Sequence, residues 1–196
     1  MMKPEININW NEVSFSPSNP SASTKNIKEG LINTFFGIHN ETNEPELLLS
    51  ENNLELNPAF WTYPDQTKIV STSSNRSFLL LPNEYSVAFE YPLDSLANRN
   101  SLDNLIVRAG VWAKAKQSSK AVFVISIEKN GKSLEWRGVD IQDFVIDISE
   151  MNFVTNFAVL TKELFLRDGL MLKVYVWNTG IESMVLDDFS VRIEKK

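Results

Sequence analysis

Asp187 and Asp188 stand side by side in MVLDDFSVRI, among hydrophobic neighbours. Successive strand residues point to opposite faces, so one carboxylate can meet solvent while the other turns inward near a sheet end. An inward carboxylate must be paired, hydrogen-bonded or metal-bound, because burying it bare is costly. The second chemical resource is aromatic: Trp61, Tyr63, Tyr91, Trp136, Tyr175 and Trp177. An exposed ring stacks on the C–H face of a sugar while neighbouring polar groups bond its hydroxyls. Trp136, flanked by Glu135 and Arg137 after a hairpin, reads as such a polar-rimmed platform, and Tyr63, beside Pro64 and Asp65, as an exposed loop aromatic. Trp112 between Val111 and Ala113, and Trp177 alternating with Tyr175, read as interior packing.

Catalytic chemistry has little to draw on. There are no cysteines, which removes thiolate nucleophiles, disulfides and cysteine-bound zinc. His39 is the only histidine, so a triad would have to use it and a multi-histidine zinc site is impossible. Asp140, Asp143, Asp147 and Glu150 crowd one stretch, but a glycosidase pair needs two carboxyls about 5 to 10 Å apart across a cleft. Their alternation with Ile141, Val145 and Ile148 reads as an exposed polar face or turn. The expectation is a protein that is not an enzyme.

The elements that must position these residues are strands. The chain has 196 residues, 43% of them hydrophobic and 11% aromatic, enough for one substantial core. Residues 1–46, with Ser14 to Thr24 reading SFSPSNPSAST, form an irregular lead-in or linker with short strands expected near Ile6 to Phe15 and Leu31 to Ile38. From residue 47 to 196, short β-branched and aromatic runs alternate with turn residues, the pattern of an antiparallel β-sandwich. Strands are expected near Asn53 to Trp61, Lys68 to Ser71, Ser77 to Leu81, Tyr85 to Tyr91, Asn104 to Lys114 and Ala121 to Lys129. Others follow near Leu134 to Val139, Asn152 to Leu164, Met171 to Asn178 and Met184 to Ile193. Asn130-Gly131 predicts a two-residue type I′ hairpin, and Asn178-Thr179-Gly180 a closing hairpin between the last two strands. Helices are limited to short turns within Asp94 to Leu105 and Ile141 to Met151.

The formal charge of -6 argues against nucleic acid, whose affinity comes largely from Lys and Arg displacing counterions. No stretch reaches the roughly 18 to 20 apolar residues of a membrane span, so membrane insertion is not expected. MMKPEININW lacks the apolar run of an export signal. The triplets Asn40-Glu41-Thr42 and Asn75-Arg76-Ser77 match the glycosylation acceptor pattern, which arises often by chance.

Several segments, in order, resemble one family. ENNLELNPAFW at Glu51 to Trp61 is similar to its first strand, an N-D-F-E pattern followed by Trp, with Asn53 in place of Asp. Asn75 stands at a corner where glycine is usual. Tyr85-Ser86, Ala109 to Lys114 (AGVWAK), and Ala121 to Ile141 (AVFVISIEKNGKSLEWRGVDI) match later strands, and YVWN with LDDF the closing ones. The chain thus resembles the bacterial jelly-roll carbohydrate-binding modules and galactose-binding-domain-like proteins. The resemblance implies a jelly-roll sandwich and a non-catalytic module binding a glycan or polysaccharide, extracellular or periplasmic, with neighbouring domains of a larger exported protein as partners. It also implies a structural Ca²⁺ between first and last strands, held by Glu55 and Asp188, with Asp187 the alternative and a carbonyl near Asn75. Residues expected at the sugar are Trp136, Tyr63, Arg137 and Glu135. The alternatives are an accessory or adhesion domain that binds protein, and a jelly-roll hydrolase or lyase.

Overall fold

The computed structural model describes residues 46–55, 58–71, 76–116 and 118–196. The lead-in, its expected short strands, His39, the triplet at Asn40 and the corner residue Asn75 lie outside them. The strands are β1 (Glu46–Asn52), β2 (Trp61–Thr62), β3 (Ile69–Ser71), β4 (Arg76–Leu80), β5 (Ala88–Pro92) and β6 (Leu105–Lys114). They continue as β7 (Ala121–Lys129), β8 (Lys132–Asp140), β9 (Asn152–Leu160), β10 (Leu170–Asn178) and β11 (Met184–Lys195).

They form two antiparallel sheets, the β-sandwich that the strand pattern predicts, with the jelly-roll fold that the family resemblance implies. One sheet runs β3-β4-β11-β6-β9, with β1 also on β11; the other runs β2-β5-β10-β7-β8. Period-2 alternation decides which side of each strand is buried. Val107, Ala109, Val111, Val154, Leu186, Val191 and Ile193 from the first sheet meet Phe89, Phe123, Ile125, Ile127, Leu172, Val174 and Val176 from the second in one core. Phe78 and Phe189 fill its largest volumes from the first sheet.

Local differences from expectation have physical causes. The first strand lies at Glu46–Asn52, before the predicted Asn53 to Trp61, because the chain turns at Leu54 and again at Phe60, both at positive φ. The strand predicted at Asn152 to Leu164 stops at Leu160 and gives way to a helical turn at Lys162–Phe165. Asn130 and Gly131 take φ of 50° and 74°, the left-handed pair that a type I′ turn requires. Short 3₁₀ turns fall at Leu93–Ser95, Arg99–Ser101 and Ile141–Phe144, within the stretches where helical turns are expected.

The closing hairpin is a correction. β10 pairs with β5 and β7, whereas β11 pairs with β1, β4 and β6, so Thr179 to Ser183 cross between sheets. Two amphipathic strands joined by a turn suit either arrangement, and pairing is settled by which neighbours complete the ladders. Gly180 is not at positive φ; it is needed because an added Cβ would sit 2.9 Å from the Lys120 backbone nitrogen.

Asp187 and Asp188 occupy a bulge, not regular strand. The β11–β6 register shifts between Asp187 and Ser190, and Asp188 takes φ of 43°. The bulge sits where the edge of β11 changes partner, since β4 pairs with Met184 to Leu186 and β1 with Phe189 onward. Asp187 is only 3% exposed, and its side chain accepts the Asp188 N–H at 2.8 Å. It shares the outer face of its sheet with its register partner Trp112, away from the sandwich interior.

Candidate ligand-binding face

The outer face of the second sheet is built by β10. Along Leu170–Asn178 the even-numbered residues are buried, while Met171, Lys173, Tyr175 and Trp177 face outward. Register places Lys173 between Glu90 and Ser126, Tyr175 beside Val124, and Trp177 beside Val122. Trp136 stands beside Ser126 on the far side of β7, so it joins the same face.

Four aromatic side chains gather there. Tyr85 is 50% exposed, Trp136 49% and Trp177 37%. The Tyr85 and Trp177 rings stack at 5.7 Å with 17° between planes, and Tyr85 meets Tyr175 edge-on at 5.6 Å. Burial raises the pKa of the Tyr175 hydroxyl, and the nearby Trp136 indole acts in the opposite sense. Gly138 has a steric role: an added Cβ would lie 2.4 Å from Trp136 Cη2 and 2.5 Å from Val122 Cγ1. The missing side chain leaves room for the indole to lie along the strand, and any larger residue would lift it.

Beside the rings is a cavity of about 350 Å³ lined by Thr62, Tyr85, Glu90, Glu128, Lys173 and Tyr175, among others. This lies in the range of small-ligand sites. Lys173 Nζ bridges Glu90 at 3.1 Å and Glu128 at 3.3 Å, and Thr62 Oγ1 donates to Glu90 at 3.2 Å. Burial disfavours the charged ammonium, but the bonds to and attraction of the two carboxylates outweigh it and raise the Lys173 pKa.

The residues predicted for the site scatter. Trp136 is on this face. Glu135 and Arg137 alternate with it along β8, opposite Ile127 and Ile125, and so take the other face of the strand. Tyr63 is half-buried against the core and its hydroxyl donates to Asn52 Oδ1 at 2.9 Å. Tyr175 and Trp177, which alternation alone assigns to the interior, are corrected to the exposed face. Trp112 is buried, though on the outer side of the first sheet and 5.1 Å from Phe153, not in the core. Tyr85 and Glu128 fall in segments read only for the fold and Glu90 and Lys173 carry no motif, so only strand pairing brings the four together.

Glu55 and Asp188 lie at the bulge region. Asn52 pairs with Phe189, so the chain beyond Asn52 passes Asp188 before reaching Glu55. The Glu55 carboxylate is 3.7 Å from Arg76 Nε. Among the described residues, no three acidic, histidine or cysteine side chains converge as a metal-binding group. No described helix is long and apolar enough to cross a membrane.

Fold and face together define a jelly-roll sandwich that presents an aromatic groove on one sheet. Similar solved structures include several carbohydrate-binding modules and an adhesin domain. A xylan-binding module, CBM15, matches at 14% identity over 76% of this chain and 96% of its own, with a TM-score of 0.45. The CBM22-1 xylan-binding domain of Xyn10C from Paenibacillus barcinonensis matches at 15% identity over 78% and 97%, with a TM-score of 0.43. The K3 cleaved adhesin domain of Lys-gingipain from Porphyromonas gingivalis matches at 12% identity over 76% and 99%, with a TM-score of 0.39. No protein-family model and no curated protein matches the chain.

Proposed function

We propose that this protein is a non-catalytic carbohydrate-binding module that holds a polysaccharide segment across the outer face of its second sheet. The observation that carries the reading is the outward-facing set of exposed Tyr85, Trp177 and Trp136 with half-buried Tyr175, beside a cavity that Tyr85 and Tyr175 line together with Glu90, Glu128 and Lys173. Exposed stacked aromatics cost solubility and add little to the fold, so their placement suits a partner with an apolar face. Sugars have such a face, edged by hydroxyls that Glu90, Glu128, Lys173 and Thr62 can bond. A titration of neutral soluble polysaccharides (xylan, glucomannan, galactan), followed by calorimetry, tests it. Saturable binding with quenching or enhancement of tryptophan fluorescence is expected; no heat and no fluorescence change with any of them would overturn the reading.

Calcium at the bulge of β11 is a second element of the proposal. The donors would be oxygens from separate segments, the Glu55 and Asp188 carboxylates completed by backbone carbonyls, which is the chemistry Ca²⁺ takes. Arg76 would have to release Glu55 for the ion to bind. The ion would be structural, tying β1 to β11, because a ligand bound only by the native state stabilises it. Thermal unfolding in EDTA is therefore expected several degrees below that in millimolar CaCl₂, with Glu55→Gln removing the difference. Coincident curves would exclude the site.

A further inference from the structure

We infer that Lys173, clamped between Glu90 and Glu128, is the specificity element of this groove: it admits uncharged vicinal hydroxyls and rejects acidic sugars. The inference rests on the carbohydrate reading and deepens it. An ammonium has three donors, and the two carboxylates occupy two of them, leaving one for a ligand. Each carboxylate keeps acceptor capacity: among the described residues Glu90 Oε2 takes the Thr62 hydroxyl at 3.2 Å, and Glu128 Oε1 a long 3.5 Å contact from Ser126.

The ligand group that completes this set must donate and accept at once. A pair of adjacent hydroxyls does so, donating to the two carboxylates and accepting the third ammonium proton. A uronate carboxylate only accepts. It would satisfy one N–H while facing two carboxylates, and the triad already carries one negative charge in excess. Because Lys173 and Glu128 are largely shielded from solvent, with side-chain exposures of 28% and 17%, this repulsion is screened less than at an open surface.

The test changes the sign of the triad. Wild type and the Glu90→Gln/Glu128→Gln double variant are titrated with neutral β-1,4-linked hexasaccharides of xylose, glucose and mannose, and with polygalacturonate, at low and at physiological salt. Asp143→Asn/Glu150→Gln, on exposed loop positions outside the groove lining, makes the same change in total charge and is the control. Wild type is expected to bind a neutral hexasaccharide and not polygalacturonate. The groove variant should gain at least about tenfold for polygalacturonate at low salt and lose about tenfold for the neutral ligand, since one charged hydrogen bond is worth that much. The control should do neither.

Wild-type binding of neutral and acidic glycans with equal affinity overturns the inference alone. So does an equal gain by the groove variant and the control. Wild-type binding of polygalacturonate and of no neutral glycan overturns the inference alone, whereas absence of binding to every glycan, neutral and acidic, overturns the carbohydrate reading and the inference with it. If the double variant fails to unfold cooperatively, the single Glu128→Gln variant, with a neutral triad, is expected to show the same loss for the neutral ligand and a smaller gain for the acidic one.

Discussion

Trp177→Ala is expected to weaken polysaccharide binding about a hundredfold, the cost of truncating a central aromatic anchor. The unfolding midpoint should fall less than for a truncation in the buried interior. Trp177 is 37% exposed, and its main ring partner is Tyr85, itself half in solvent. The loss of its covered area costs some stability, while a ligand loses both the indole and the alignment of Tyr85. Trp136→Ala should cost a similar factor, because its half-exposed ring lies against Gly138 on the same face. Trp112→Ala is the contrast: it empties a buried position on the opposite sheet, so it should lower stability by about 3 kcal/mol and leave affinity unchanged. Calorimetry and urea unfolding on the three variants separate these effects. If Trp112→Ala reduced affinity and Trp177→Ala did not, the binding face would lie on the first sheet.

Much of this fold is written locally. The run at Ala121–Lys129 ends at Asn130-Gly131, a pair that names its own turn geometry. What alternation cannot give is the identity of a face. Trp177 and Tyr175 alternate with Val176 and Val174 in either case, and an aromatic stripe looks like core unless the neighbouring strands are known. Here both stripes of β10 are rich in large apolar groups, the outer one interrupted by Lys173, and the sandwich can cover only one of them. The smaller residues went inside, where Phe123, Ile125 and Ile127 already fill the space, and the large rings went out. The groove polar groups were illegible for a related reason: Glu90, Glu128 and Lys173 come from three strands, joined only through register. The change of sheet between β10 and β11 was hidden likewise, because a five-residue connection serves a hairpin or a crossing equally well.

That crossing depends on one side chain, and Asn178→Leu is expected to cost about 3 to 5 kcal/mol, the sum of several buried polar groups left without partners. Asn178 is fully buried at the end of β10. Its Nδ2 donates to the Leu81 carbonyl at 3.1 Å and the Glu182 carbonyl at 2.8 Å, and its Oδ1 accepts the Gly180 N–H at 3.0 Å. Leu81 follows β4 and Glu182 precedes β11, so the amide ties the last residue of one sheet to two segments of the other. Leucine matches the volume but satisfies none of the three groups. Asn178→Asp keeps the acceptor for Gly180 and turns the donor into an oxygen facing two carbonyls, so it should be nearly as damaging. Thr179→Ala removes one bond to the Lys120 carbonyl at an exposed position and should cost less than about 1 kcal/mol. The measurement is urea unfolding, where a fall in midpoint at constant slope reports lost stability alone. A loss below 1 kcal/mol for Asn178→Leu would mean that the ladders of β10 and β11 hold the crossing without the amide.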